Sequence, residues 1–439
     1  MGAYLIIALA GFVALFIVKS LRNIFFNLAK HSVSLLNDLL TAEDDEVKLA
    51  LLQKSTNKLV VSLLYAIGII LLALVAFWLP LEVYEYFGTD SIKLNLGSWQ
   101  SIVALSIGAS IPFILPSKKK VTEGYSELSQ LLHRLALNNY TLAYKLFKRE
   151  VKQRKENLVR NEKFLTVTGL ARAGTTSLLN TLNESGQFSS LGYNNMPFLM
   201  SPNTWKKVYN PKGGEAKERS HKDGIKIGLD STEALEEFFF KVVSNDAFIE
   251  EESLKEYTLS DQDYDDYLDY QGLIRKNEQS IYLAKNNNFI LRYRSLREKN
   301  SQFVMALLFR HPLYHAASLL EKHLDYCELQ EKDEFVLEYM DWLGHHEFGL
   351  NQKVFQFDDT DIKTKDKTSL NYWLEIWLNY YRHALSINDS KTIFVSYEQY
   401  CNSPGEVLQN VANSLEMDLS SDDIKGHHNE RKVQGIYSE

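Results

Sequence analysis

The sequence predicts an α/β domain, a parallel β-sheet flanked by helices, preceded by N-terminal transmembrane helices. Three observations carry this. Long charge-free apolar runs are confined to the first 120 residues. A short β-type run at 164–168 leads through a glycine loop into a helical pattern. A second, wholly apolar run at 303–309 leads through Arg310-His311-Pro312 into another. Strands that alternate with helices in this way form parallel sheets whose strands are buried on both faces.

The membrane segment comes first. Residues 4–18 are apolar or small, residues 59–81 carry no charge over 23 positions, and residues 99–116 carry none over 18. A span needs about 20 apolar residues, so about three transmembrane helices are expected within 1–120. Basic residues set the orientation. Lys19, Arg22, Lys30, Lys48, Lys54 and Lys58 lie between the first two runs, and Lys118-Lys119-Lys120 follow the third, against Lys93 alone in 82–98. The N-terminus is therefore expected outside and everything after 117 in the cytoplasm. Residues 121–162 read as a helical connector, with Leu128, Leu131, Leu132, Leu135, Ala143 and Phe147 near helical spacing. Residues 163–439 make the α/β domain.

Charge divides the same way. The chain of 439 residues has 48 Lys+Arg and 56 Asp+Glu, a net of −8. That total argues against a nucleic-acid partner, because no basic excess displaces counterions. Cys327 and Cys401 are the two cysteines, too few for a disulfide framework or a four-cysteine zinc site. No HExxH spacing occurs, and no metal is expected.

The first loop reads Gly169-Leu170-Ala171-Arg172-Ala173-Gly174-Thr175-Thr176. Its G-x-x-x-x-G spacing makes the sheet P-loop-like. Glycines let the backbone curl with its N–H groups inward, and the following helix adds the positive end of its dipole. Thr175-Thr176 stand where a nucleoside triphosphatase has Lys-Ser/Thr, and the cation is Arg172. The second strand places Arg310 at its carboxyl end, where ligands bind in open α/β sheets. Ser318 follows eight residues later, and a guanidinium and a hydroxyl so placed share one phosphate.

Two phosphate sites on one sheet resemble the sulfotransferase family that uses 3′-phosphoadenosine 5′-phosphosulfate (PAPS). The 169–176 loop resembles its 5′-phosphosulfate loop, and Arg310 with Ser318 its 3′-phosphate site. Tyr397, after the strand at 392–396, resembles the tyrosine near the adenine. The chain is similar to the bacterial branch at 219–225, 230–237, 285–288 and 339–349, a match over roughly 163–410. It departs from the cytosolic type at Ser177, where that type has a base-stacking tryptophan, and at Asn286 and Asn287, where it carries a histidine base. The C-terminal basic segment is matched by Arg431 and Lys432 alone.

The resemblance implies sulfuryl transfer from PAPS as co-substrate to a hydroxyl. Arg172 would stabilise charge, Thr175 and Thr176 would donate from their hydroxyls, and Lys285 would be a second cation. An acceptor hydroxyl needs a base. The candidates are His221, Asp223, Glu233, Glu237, His346 and Glu347. Asp230 with Glu233 also reads as a capping box before a helix at 234–243. Trp373 and Trp377, four apart, read as a buried helix face. The tether points to a glycan or lipid-linked sugar as acceptor and to membrane lipid as a partner, in the inner or plasma membrane. A nucleotide-dependent kinase and a non-catalytic nucleotide-binding scaffold are the rival readings.

Overall fold

The computed structural model describes residues 2–40, 45–87, 95–114, 126–209, 217–218, 226–227 and 234–418. It divides into two compact units, 1–139 and 140–439. The boundary falls inside the expected connector, so its two helices belong to different units.

The first unit is helical. It comprises α1 (Gly2–Ser20), α2 (Arg22–Leu40), α3 (Asp45–Phe87), α4 (Trp99–Ile114) and α5 (Glu127–Leu137). Helices α1 and α4 approach closely at a glycine on each, Gly11 and Gly108. A Cβ on Gly108 would lie 1.9 Å from the Ala8 carbonyl oxygen, and one on Gly11 would lie 2.7 Å from Leu105 Cδ1. Small residues at such crossings let backbones approach closely. Among the described residues two helices, Gly2–Ser20 and Val47–Phe87, are long and apolar enough to cross a membrane. The third expected span, 99–116, is described as far as Ile114, where α4 has 16 residues with Pro112 inside it. The segment between the first two apolar runs is not an open loop. It is α2 and the start of α3, tied by a hydrogen bond from Ser55 to Asp38 and by His31 Nδ1 at 2.6 Å from Ser62 Oγ. Asn37 Nδ2 donates to the Arg134 carbonyl of α5 at 3.2 Å.

The second unit begins with α6 (Tyr140–Arg154). Then follow β1 (Phe164–Thr168), α7 (Thr175–Glu184), β2 (Phe188–Ser189), α8 (Pro202–Val208), β3 (Lys217–Glu218) and β4 (Lys226–Ile227). Next come α9 (Glu237–Ser244), β5 (Ser253–Lys255), α10 (Asp261–Ile274), β6 (Ile281–Lys285), α11 (Tyr293–Lys299) and β7 (Val304–Phe309). The unit continues with α12 (Pro312–Lys332), α13 (Glu334–Trp342), β8 (Val354–Gln356), α14 (Leu370–Ile387), β9 (Thr392–Ser396), α15 (Tyr397–Asn402) and α16 (Pro404–Leu415).

The main sheet has the order β2-β6-β1-β7-β9, and every pair in it is parallel. Three of its five strands, β1, β7 and β9, are the expected ones, and β2 and β6 are additions. Strands β1 and β7 are buried because Leu165, Val167, Val304, Ala306 and Leu308 pack on α7 and α16 through Leu178, Leu179 and Val411. Register places Val167 opposite Lys285 and Thr168 opposite Leu307. The carboxyl ends of β6, β1 and β7 therefore share one edge. Trp373 is fully buried and Trp377 half-buried on α14, as the helix-face reading requires. Helix α9 starts at Glu237, three residues later than expected, and Asp230 and Glu233 lie outside the described residues.

Candidate active site

The loop after β1 is shaped by three residues of positive φ. Gly169 has φ +142°, and a Cβ there would meet the Leu308 carbonyl oxygen at 2.5 Å. Gly174 has φ +96°, and a Cβ there would meet Tyr397 Cδ2 at 2.3 Å. Between them Arg172 has φ 71°, a left-handed conformation that costs a side-chain-bearing residue about 1 kcal/mol. Such strain persists where the surroundings over-determine it. Here His315 from α12 lies 2.8 Å, through Nε2, from the Ala171 carbonyl oxygen. The carbonyl accepts, so Nε2 carries the proton. His315 is fully buried, and burial, reinforced by Arg310 and Arg172, lowers its pKa to about 3. It is a neutral strut under the loop. Gly174 caps α7, whose first turn holds Thr175 and Thr176, both buried.

Cations reach this loop from two strands. Lys285, the last residue of β6, donates from Nζ to Thr176 Oγ1 at 2.9 Å. Arg310, just past β7, donates from Nη1 to the Arg172 carbonyl at 3.3 Å. Its guanidinium lies over the Tyr397 ring, 4.8 Å from the centroid. Arg172 Nε in turn donates to Ser318 Oγ at 3.3 Å. The residues Gly169, Arg172, Ala173, Gly174, Thr175, Thr176, Lys285, Arg310, Ser318 and Tyr397, scattered over 229 positions, are thus one constellation. Arg310 Nε is buried with no hydrogen-bond partner among the described residues. An unpaired buried guanidinium nitrogen suits an anion such as a phosphate, so the residues present fit a phosphate-bearing ligand.

Three asparagines follow β6, and each ties down another element. Asn286 Nδ2 donates to Glu236 at 3.0 Å, which also accepts from the Tyr267 and Tyr282 hydroxyls at 2.6 and 2.9 Å. Burial pushes the Glu236 carboxyl above its ordinary range. Asn287 Nδ2 donates to Glu347 Oε1 at 2.6 Å, and Asn288 Nδ2 to the Gly344 carbonyl at 2.9 Å. The backbone of the same segment accepts from Thr168 Oγ1 at Asn286, at 2.7 Å, and from the Tyr380 hydroxyl at Asn287, at 3.3 Å. The loop after α13 is therefore fastened beside the phosphate loop. Burial alone would raise the Glu347 pKa, but His345 and Asn287 outweigh it and hold it near about 2.

Several base candidates lie elsewhere. Glu237 is the clearest departure. Both its oxygens bind Arg292, at 2.5 and 2.6 Å, with the guanidinium over Phe240, 4.0 Å from its centroid. The pair is buried, and its carboxylate is committed to structure rather than open to an acceptor. His346 is buried, lies 3.2 Å from the Asn351 carbonyl through Nδ1, and has its pKa lowered to about 4 by burial. His221 and Asp223 lie outside the described residues, as does Glu233. Sequence reasoning missed His315, Glu236 and His345. The first had a faint signal, a histidine one turn into the helix after Arg310. Glu236 had none, because its partners Tyr267, Tyr282 and Asn286 lie 31 to 50 residues along the chain. His345, two residues from Glu347, read as part of a helix end and loop.

No family model and no curated protein matches the chain. Among solved structures it is similar to sulfotransferase STF1 from Mycobacterium tuberculosis H37Rv, at 14% identity and a TM-score of 0.37. That alignment covers 78% of this chain and 89% of that one. It is also similar to sulfotransferase STF9 from Mycobacterium avium, at 13% identity and a TM-score of 0.37, covering 73% and 79%. At these values the likeness assigns no role to any residue.

Proposed function

We propose that the protein transfers a sulfuryl group from PAPS to a hydroxyl of a glycan or lipid-linked acceptor at a membrane surface. What supports this reading is the meeting of Arg310, Ser318 and Arg172 on one glycine loop. One such loop serves any phosphate. A second arginine and a serine beside it serve a nucleotide that carries phosphate at both ends.

The roles follow from position. Amides of the 169–176 loop and the hydroxyls of Thr175 and Thr176 hold the 5′-phosphosulfate. Arg172 cannot lose its proton at neutral pH, so it contributes charge alone. Lys285, already on Thr176, neutralises charge growing on the departing phosphate oxygen. Arg310 and Ser318 take the 3′-phosphate, and Tyr397 lies beside the base. PAPS, when bound, supplies the activated sulfuryl group. The protein contributes alignment and electrostatics, as in phosphoryl transfer. In the same reading the apolar helices of the first unit anchor the chain in the inner or plasma membrane, with the α/β unit cytoplasmic by the distribution of lysines and arginines.

Calorimetric titration of the detergent-solubilised chain with 3′,5′-adenosine diphosphate, beside ATP with magnesium, tests the donor site. Tight binding of the 3′,5′-diphosphate is expected, weakened about 10- to 100-fold by Arg310→Ala, since a charge-assisted hydrogen bond contributes about 1.5–3 kcal/mol. Preference for ATP with magnesium would sink the reading in favour of a kinase.

A further inference from the structure

The carboxyl end of β6 holds a relay that the phosphate constellation does not use. His345 sits in the turn after α13, where Gly344 has φ +67° and no room for a side chain: a Cβ there would lie 2.6 Å from Glu237 Cγ. Lys241 Nζ fixes the same turn by donating to the Asp341 carbonyl at 2.7 Å, and Asn288 fixes it at Gly344. His345 Nδ1 faces Glu347 Oε1 at 3.5 Å. Only Nδ2 of Asn287 can donate to a carboxylate, so its 2.6 Å contact sets both the rotamer of Asn287 and the position of Glu347. The Glu347 side chain is 6% exposed and that of His345 is 23% exposed. The carboxylate is thus held dry while the imidazole reaches solvent. Asn286 is tied to the end of β1: its N–H donates to the Val167 carbonyl at 3.0 Å and its carbonyl accepts from Thr168 Oγ1 at 2.7 Å, so Asn287 follows beside the start of the 169–176 loop.

We propose that His345 is the general base for the acceptor hydroxyl, oriented by Glu347, which is itself placed by Asn287. This assignment rests on the sulfuryl-transfer reading. The ionised carboxylate at Nδ1 selects the tautomer with its proton there, which leaves Nε2 as the basic nitrogen. Nε2 accepts the proton of the acceptor hydroxyl. The oxygen pair forms the new O–S bond as the S–O bond to the 5′-phosphate breaks, and its electrons leave with the phosphate oxygen. Glu347 stabilises the imidazolium, which returns its proton to solvent. The asparagines at the end of β6 carry no base and instead hold one that comes from the turn after α13.

The test uses the full chain in detergent, with 35S-labelled PAPS and dodecyl maltoside, a sugar hydroxyl on a lipid tail. His345→Gln is expected to lower transfer by about 10²- to 10⁴-fold while 3′,5′-adenosine diphosphate affinity stays at the wild-type value, which also certifies the fold. Glu347→Gln removes a negative charge from the imidazole, so the acid limb of the kcat–pH profile should move to lower pH. Asn287→Ser should lower kcat with KM unchanged. Full activity in His345→Gln, or an unmoved acid limb in Glu347→Gln, overturns the assignment. Failure of the wild type to bind the 3′,5′-diphosphate is a different result. It removes the donor site, and the base falls with it.

Discussion

Gly174 shows how much one missing side chain decides. Its φ of +96° and the Tyr397 ring at 2.3 Å from where a Cβ would stand exclude every other residue on two separate grounds. Gly186 separates them, because it has φ +72° with nothing within 4 Å. Gly186→Ala is expected to cost about 1 kcal/mol, the backbone penalty alone. Gly174→Ala adds an overlap with an aromatic ring that is itself wedged beneath Arg310. It should cost about 1–3 kcal/mol more and weaken 3′,5′-adenosine diphosphate binding at least about tenfold, read by thermal unfolding and calorimetry. The tight turn at Gly169 and Gly174 was legible in the sequence because a strand–loop–helix turn is a local device, with its glycine spacing fixed by the backbone. The strain at Arg172 was not, since nothing in the identity of an arginine announces a left-handed backbone.

Among elements, α9 and the turn after α13 carry most of what spacing alone could not supply. Glu237 one turn beyond Glu233 suggested a pocket-lining carboxylate. The structure spends it on Arg292, fully buried under Phe240, Phe248 and Tyr257. The partner is 55 residues away, and no periodicity links them. Removing one member of a buried pair strands the other charge, so Glu237→Ala should destabilise the fold by about 3–5 kcal/mol, measured by urea unfolding. If Glu237 were instead the base, the fold would hold and only transfer would fall. Strand β7 was readable because a buried parallel strand is a continuous apolar run, and β1 and β9 because they are short runs of β-branched and aromatic residues. The role of Asn286, Asn287 and Asn288 was hidden for the opposite reason. Polar residues at a strand end read as a loop until their hydrogen bonds are drawn.

At the scale of the whole molecule, buried histidines set the acid limit. Burial lowers His315 to about 3 and His323 and His346 to about 4, from an ordinary 6.5. The unfolded chain takes up protons below pH 6.5 that the folded chain refuses. Their contribution is therefore whole above pH 6.5 and is lost as pH falls toward 4, by up to about 1.4 kcal/mol per pH unit for each. Glu347, held near about 2 against an ordinary 4.5, is lost in a later window, from pH 4.5 to 2. The unfolding midpoint should be flat from pH 8 to 7 and decline from about 6.5 downward. A midpoint unchanged to pH 5 would contradict the burial of these rings. In the first unit, length is the telling quantity. Helix α3 has 43 residues, about 65 Å at 1.5 Å per residue, roughly twice the hydrocarbon thickness of a bilayer. Its charge-free stretch accounts for 23 of them. The remainder continues without a break through Ser55 and Lys58, with α2 bonded along its flank. If the apolar part crosses a bilayer, as proposed above, a tilt of it would carry along the unbroken N-terminal half of α3 to the bracket formed with α2, and α3 would act as a lever.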